Sequence, residues 1–224
     1  FADKNVGTSK TVTFSGYTLN GDGSAEYNYA LTQPASVTAD ITAKEVKLTG
    51  VTATNRKYVK GNVNVTVDGG TVDGAISGDD VTVNMGHAEG TMADANVGTG
   101  KSVTVTGCAL NGADAGTSKR KDQPTGVTGN ITPATYMGTT DASGSAKYGM
   151  SGTVDLSGLI VAGGMATCAV TTGNDLLSSV PTMATGGKTL NFAFKDDATN
   201  ATKTATVKVT VTSANYLPYD ITVT

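Results

Sequence analysis

Tryptophan is absent from this 224-residue chain, histidine occurs once, cysteine twice, and aromatic residues make up only 5%. Each shortage removes a class of function. Two cysteines, Cys108 and Cys168, cannot build a disulfide framework and have no metal-ligand spacing, so no metal site is assigned to them. They fall in different units of the chain and are expected to be separate thiols. The lone His87 sits between Gly86 and Ala88 with no nucleophile motif near it. General acid–base chemistry therefore has no second group to work with, and His87 reads as a surface-turn residue. No catalytic and no cofactor-binding residue is assigned, and the chain is expected not to be an enzyme.

Charge is also scarce. Charged residues make up 16% and the net charge is −3, so the basic field of a nucleic-acid binder is missing. No apolar run reaches 18 residues, and no membrane insertion is expected in this segment. A first residue of Phe rather than Met suggests a stretch of a longer protein, with any signal peptide or wall anchor outside it. No ten-residue stretch carries a convincing 3.6-residue apolar period, which leaves β structure as the regular option.

What is abundant is valine, threonine, alanine and glycine (29 Gly against 5 Pro). Branching at Cβ suits Val and Thr to the pleated strand. Self-similarity is the strongest signal. Phe1–Gly23 reads FADKNVGTSKTVTFSGYTLNGDG, and Met92–Asp114 reads MADANVGTGKSVTVTGCALNGAD, an offset of 91. The match resumes at an offset of 90, where QPASVTADIT (Gln33–Thr42) recurs as QPTGVTGNIT (Gln123–Thr132).

Within one unit, alternation predicts strands at Glu45–Thr54, at Asn62–Val67, around Val72 and Ile76, and through Val81, Val83 and Met85. Ser102–Thr106 and Thr125–Thr132 follow. Asp68-Gly69-Gly70 and Gly78-Asp79-Asp80 read as turns. Beyond Pro133 the pattern changes. Strands are expected within Tyr148–Ile160, at Met165–Val170, Leu190–Phe194 and Ala205–Val211, and through Ile221 and Val223. Lys195–Asn200 reads as a hairpin loop, and Asp175–Val180 as a short helix. The expected fold class is all-β: tandem small β-sandwich, immunoglobulin-like modules with mainly antiparallel sheets.

One set of segments carries a family resemblance: Thr49–Thr54, Tyr58-Val59-Lys60-Gly61, Gly69-Gly70, Gly78-Asp79-Asp80-Val81, Ala93–Lys101, Gln123-Pro124 and Ile131-Thr132. Together they resemble the YDG repeat, found in tandem in large bacterial surface and haemagglutinin-like adhesins. Residues 1–43 look like the C-terminal half of one repeat and 44–133 like a complete one. Residues 134–224 resemble the immunoglobulin-like modules that often follow. Two departures stand out. The Tyr-Asp-Gly motif is Tyr58-Val59-Lys60-Gly61 here, and the Asn28–Thr32 segment becomes Ser118–Asp122 in the second copy, suggesting a strand turned to loop. The resemblance implies a bacterial cell-surface, extracellular location and no catalytic residue.

The remaining polar groups have ordinary readings. Asp22–Glu26, Asp79-Asp80 and Asp196-Asp197 offer oxygens that Ca²⁺ would accept, but none has the spacing of a dedicated loop, and acids beside glycine commonly form turns. Lys119-Arg120-Lys121 could meet an anionic glycan or wall polymer, or be a solvated loop. The Asn-x-Thr triplets at Asn64, Asn130 and Asn200 are expected by chance in so Asn- and Thr-rich a chain. The eight tyrosines are scattered along the sequence, which argues against a carbohydrate platform. Gly69-Gly70, Gly163-Gly164 and Gly186-Gly187 are not followed by helices that could hold phosphate.

Two functions follow as expectations. One is a structural stalk or spacer segment of a secreted or surface-anchored adhesin, whose partners are neighbouring modules of the same protein. The other is a binding module that recognises a host glycan or extracellular protein through loops of 134–224. The half repeat at 1–43 would leave an open edge, so it is expected to pack on residues 44–90 or pair with a neighbouring chain.

Overall fold

The computed structural model describes residues 1–20 and 28–224 and is all-β, with no α-helix among them. In chain order the strands are β1 (Gly7–Val12), β2 (Val37–Ile41), β3 (Lys44–Ala53), β4 (Arg56–Lys57), β5 (Asn64–Val65), β6 (Val67–Asp73) and β7 (Thr82–Asn84). Then come β8 (Glu89–Met92), β9 (Gly98–Thr106), β10 (Ala109–Asn111), β11 (Ser118–Arg120), β12 (Thr128–Thr132) and β13 (Asp141–Ala142). The last six are β14 (Ser151–Asp155), β15 (Met165–Thr172), β16 (Thr182–Met183), β17 (Thr189–Ala193), β18 (Thr206–Thr212) and β19 (Tyr219–Val223). Two compact units account for them. The first takes in Phe1–Thr54, Asn64–Met92 and Ser102–Gly129; the second takes in Asn55–Val63, Ala93–Lys101 and Asn130–Thr224.

In the first unit β3 pairs antiparallel with β6 and parallel with β11, while β7 pairs with β10 and β5 with β8. Alternation supplies the core: Val46, Leu48, Val51, Val65, Val67, Met92, Val103, Val105, Cys108 and Val127 are buried, with polar neighbours facing water. Asp68-Gly69-Gly70, expected as a turn, runs inside β6. Gly69 and Gly70 adopt φ of +77° and +102°, and Gly50, which falls opposite Gly70 in the register, adopts +71°. A Cβ on Gly70 would come within 2.9 Å of the Val51 side chain. Glycine here kinks a paired strand rather than ending it. Ile76 lies exposed outside any strand.

The second copy's Ser118–Arg120, expected as loop, forms β11, whereas Asn28–Thr32 forms no strand. The aligned Tyr29 and Leu31 are exposed. The reason is a partner: Lys119 sits opposite Glu45 and Arg120 opposite Val46 on β3, and Lys121 N–H donates to the Val46 carbonyl. A ladder outweighs the poor strand propensity of a basic triplet.

In the second unit, two sheets share one core. The order β13-β19-β18-β15 forms one and β14-β17-β16 the other. Val154, Leu156, Ile160, Leu190, Val207, Val209, Val211, Ile221 and Val223 fill the space, drawn from both sheets. Lys195–Asn200 is therefore no hairpin loop. β17 pairs with β14 and β16, and β18 with β15 and β19, so the segment connects different sheets. Both faces of β17 and β18 read as strong strands; alternation alone carries no pairing information. The short helix expected at Asp175–Val180 is a 3-10 turn, Asn174–Leu176, that places Leu176 in the interior.

The repeat seen in the sequence is also a repeat in space. β1 pairs antiparallel with β2, with Val12 opposite Val37; in the second copy Val103 N–H donates to Val127 O. Ser9, at φ +50°, aligns with Gly100, at φ +60°. Ser9 N–H donates to Asp40 Oδ1 (2.7 Å), and Gly100 N–H to Asn130 Oδ1 (2.8 Å). Lys10 bridges to Asp3 as Lys101 does to Asp94. Asp3 and Asp94 each accept the backbone N–H two residues on, from Asn5 and Asn96.

Candidate functional site

The most site-like feature is a cleft in the second unit, lined by Ser145–Tyr148, Phe194-Lys195, Asn200-Ala201 and Lys203, with a volume of about 650 Å³. Backbone bonds hold its walls. Gly149, at φ +72°, turns the chain so that its N–H donates to Lys195 O, and Phe194 N–H donates to Met150 O. The opposite wall is set by Asp197, whose carboxylate accepts from Thr199 N–H, Thr199 Oγ1 and Asn200 Nδ2. The Thr199 bonds hold that carboxyl below its ordinary value, aided by the nearby Lys203 charge. Three lysines (Lys147, Lys195, Lys203) and the exposed Tyr148 ring thus share one concavity. Lys147 and Lys195 have no ion-pair partner among the described residues. Cations beside aromatic faces suit an anionic, ring-shaped ligand.

Sequence spacing missed a second feature. Four tyrosines, scattered along the sequence, converge in the second unit. Tyr58 and Tyr216 meet edge to face at 5.3 Å, Tyr136 and Tyr216 at 6.2 Å, and Tyr136 stacks on Tyr219 at 4.1 Å. Tyr219 Oη donates to Leu159 O (2.7 Å) and accepts from Val161 N–H, and burial raises its phenol pKa. The rings contact one another, so they act as packing, and Tyr58 of the modified Tyr-Asp-Gly motif belongs to the cluster. Beside Tyr216, Asn215 Oδ1 accepts from Val97 N–H and its Nδ2 donates to Asn96 Oδ1.

The other singled-out residues fall elsewhere. In the first unit Lys4 lies between Asp79 (2.9 Å) and Asp114 (2.7 Å). Asp79 also accepts from Thr117 Oγ1, and Asp114 from the Asp80 N–H, so these oxygens already have partners. The bond from Lys4 is the main reason the Asp114 carboxyl lies below its ordinary value. Asp22–Glu26 lies outside the described residues. No group of acidic, His or Cys side chains fit to hold a metal occurs among the described residues. Lys119 and Lys121 are exposed and Arg120 is half-buried, as strand alternation dictates. His87 lies exposed in the turn between β7 and β8, where Ala88 N–H bonds to Met85 O. Asn130 of one Asn-x-Thr triplet is engaged with Gly100. Cys108 and Cys168 are both free thiols whose pKa burial raises. No helix among the described residues is long and apolar enough to cross a membrane.

Among known proteins, the YDG domain family matches residues 1–38 and again 42–117. No curated protein and no solved structure matches the chain. The family match falls where the sequence repeats, and each match contains one copy of the Asp-x-Asn-Val loop with its Asp–Lys ion pair. Taking in half of the chain, it places this protein in the YDG domain family.

Proposed function

We propose that this chain is a structural stalk segment of a secreted or surface-anchored bacterial adhesin. The observation that carries the reading is the duplication: two copies of one YDG hairpin, with equivalent valines opposed, a left-handed residue at the same position and equivalent side-chain bonds, follow each other in one chain. Duplication of a hairpin whose matched bonds hold backbone and not a ligand favours length over chemistry. Residues 134–224 would serve in it as an immunoglobulin-like module. Its three- and four-stranded sheets over a shared core support this. Extracellular location at the bacterial surface goes with this role.

A second reading has its own observation, the lysine-rich cleft with Tyr148. It would make 134–224 a binding module for an acidic host glycan. A broad glycan and matrix-protein array probed with the whole chain separates the two. Silence across the array is the outcome expected for a stalk. Binding confined to sulfated or uronic glycans, and lost in a Lys147→Ala/Lys195→Ala/Lys203→Ala variant, would replace it with the binding reading.

A further inference from the structure

Two copies of one hairpin stand in different surroundings, and the difference defines a docking surface. In the second copy β9 runs on through Thr104, Val105 and Thr106, which lie opposite Thr91, Gly90 and Glu89 of β8. The aligned residues of the first copy, Thr13, Phe14 and Ser15, lie outside β1, which stops at Val12. β1 lacks the three positions that β8 supports in β9. Burial changes in step. Val127 is 7% exposed and its counterpart Val37 is 51%; Met92 is 2% exposed and its counterpart Phe1 is 53%. Ile131 and Val103 are buried, whereas Ile41 and Val12 are only partly covered. The residue types are the same or similar, so the cause is the missing cover and not the sequence of the hairpin. Among the described residues β1 and β2 pair only with each other, and an apolar hairpin edge of this kind is a template for another strand.

We propose that the β1–β2 hairpin is an acceptor for the N-terminal half of a YDG repeat, a segment with the pattern of residues 44–91. The second copy shows the chemistry of the occupant. A strand like β8 adds antiparallel to the extension of β1, and a strand like β5 backs it, as Asn64-Val65 backs Thr91-Gly90. The occupant needs glycine at the position of Gly90, since a Cβ there would lie 2.6 Å from Val67 Cγ1 and 2.8 Å from Val65 O. Its apolar side chains would cover Phe14 and Val37, the counterparts of Val105 and Val127, which are buried along with Val65 and Val67 in the second copy. The surface is thus selective for its own kind of repeat, and adding one half repeat converts an open edge into a closed module.

The test appends a copy of residues 44–91 directly before Phe1, which restores the spacing because Phe1 aligns with Met92. Amide hydrogen exchange is read on the whole extended chain and on the chain without the addition. Thr13–Ser15 and Thr38–Ile41 are expected to slow about tenfold or more, toward the rates of Thr104–Thr106 and Thr128–Ile131. An appended copy carrying Gly90→Val is expected to give no slowing. Unchanged exchange in the extended chain, or equal slowing with the Gly90→Val addition, overturns the proposal. So does a chain that, without the addition, sediments as a dimer with β1 and β2 already protected, since a second copy would then be the occupant.

Discussion

Lys101 and Asp94 meet at 2.8 Å, and the aspartate also accepts from Asn96 N–H. The lysine bond is the largest reason the Asp94 carboxyl lies below its ordinary 3.8, followed by the backbone bond. A carboxylate whose folded-state pKa is depressed contributes fully above its unfolded value, and the contribution is lost as pH falls through the folded value. The Lys101→Met variant should therefore raise the Asp94 midpoint toward 3.8 in an NMR titration. An unchanged midpoint would contradict the assignment. Tyr219 offers a second residue-scale check. Its hydroxyl joins Leu159 O to Val161 N–H, so Tyr219→Phe leaves both backbone groups short of a partner. A loss of about 1–3 kcal/mol in urea unfolding is expected, and a neutral result would mean water replaces the hydroxyl freely. The cysteines and His87 were legible at this scale, because their isolation is visible in the sequence itself. The tyrosine cluster was not: Tyr58, Tyr136, Tyr216 and Tyr219 meet only through pairing that spacing does not encode.

At the scale of elements, β1, whose register shifts between Gly7 and Lys10, and the aligned stretch of β9 make the same demand of two different residues. Ser9 holds φ +50° where Gly100 holds φ +60°. A side chain in that conformation is strained by about 1–2 kcal/mol, less what glycine's freer unfolded chain gives back. Ser9→Gly should stabilise the hairpin by a few tenths to about 1 kcal/mol, and Gly100→Val should destabilise by more than about 1 kcal/mol. Matched thermal melts of both variants check the pair, and the same sign for both would refute the shared role. In the second unit Leu190 is fully buried between the two sheets. Leu190→Ala should cost about 2–5 kcal/mol, read by denaturant midpoint. Strand positions were legible because valine alternation marks one buried face. Partners were not: nothing local to Leu190–Phe194 or Ala205–Val211 says that they join different sheets. Asp68-Gly69-Gly70 has the composition of a turn, and only Gly50 across the ladder makes it a kinked strand. Ser118–Arg120 shows the converse, an unpromising triplet recruited by β3.

For the whole molecule, the repeat outweighs any single site. Copying one hairpin with its left-handed residue, ion pair and Asx bond keeps the geometry while other side chains change, as Lys4 and its aligned Ala95 illustrate. That pattern supports the proposed stalk role, with the second unit's lysine cleft as the place where a ligand role would reside. The measurement closest to this claim is single-molecule pulling of the full chain held by its ends. A stalk should resist, giving discrete unfolding events separated by module-sized contour lengths, because antiparallel sheets share load across many backbone bonds. A smooth extension at low force, with no discrete events, would contradict the stalk reading.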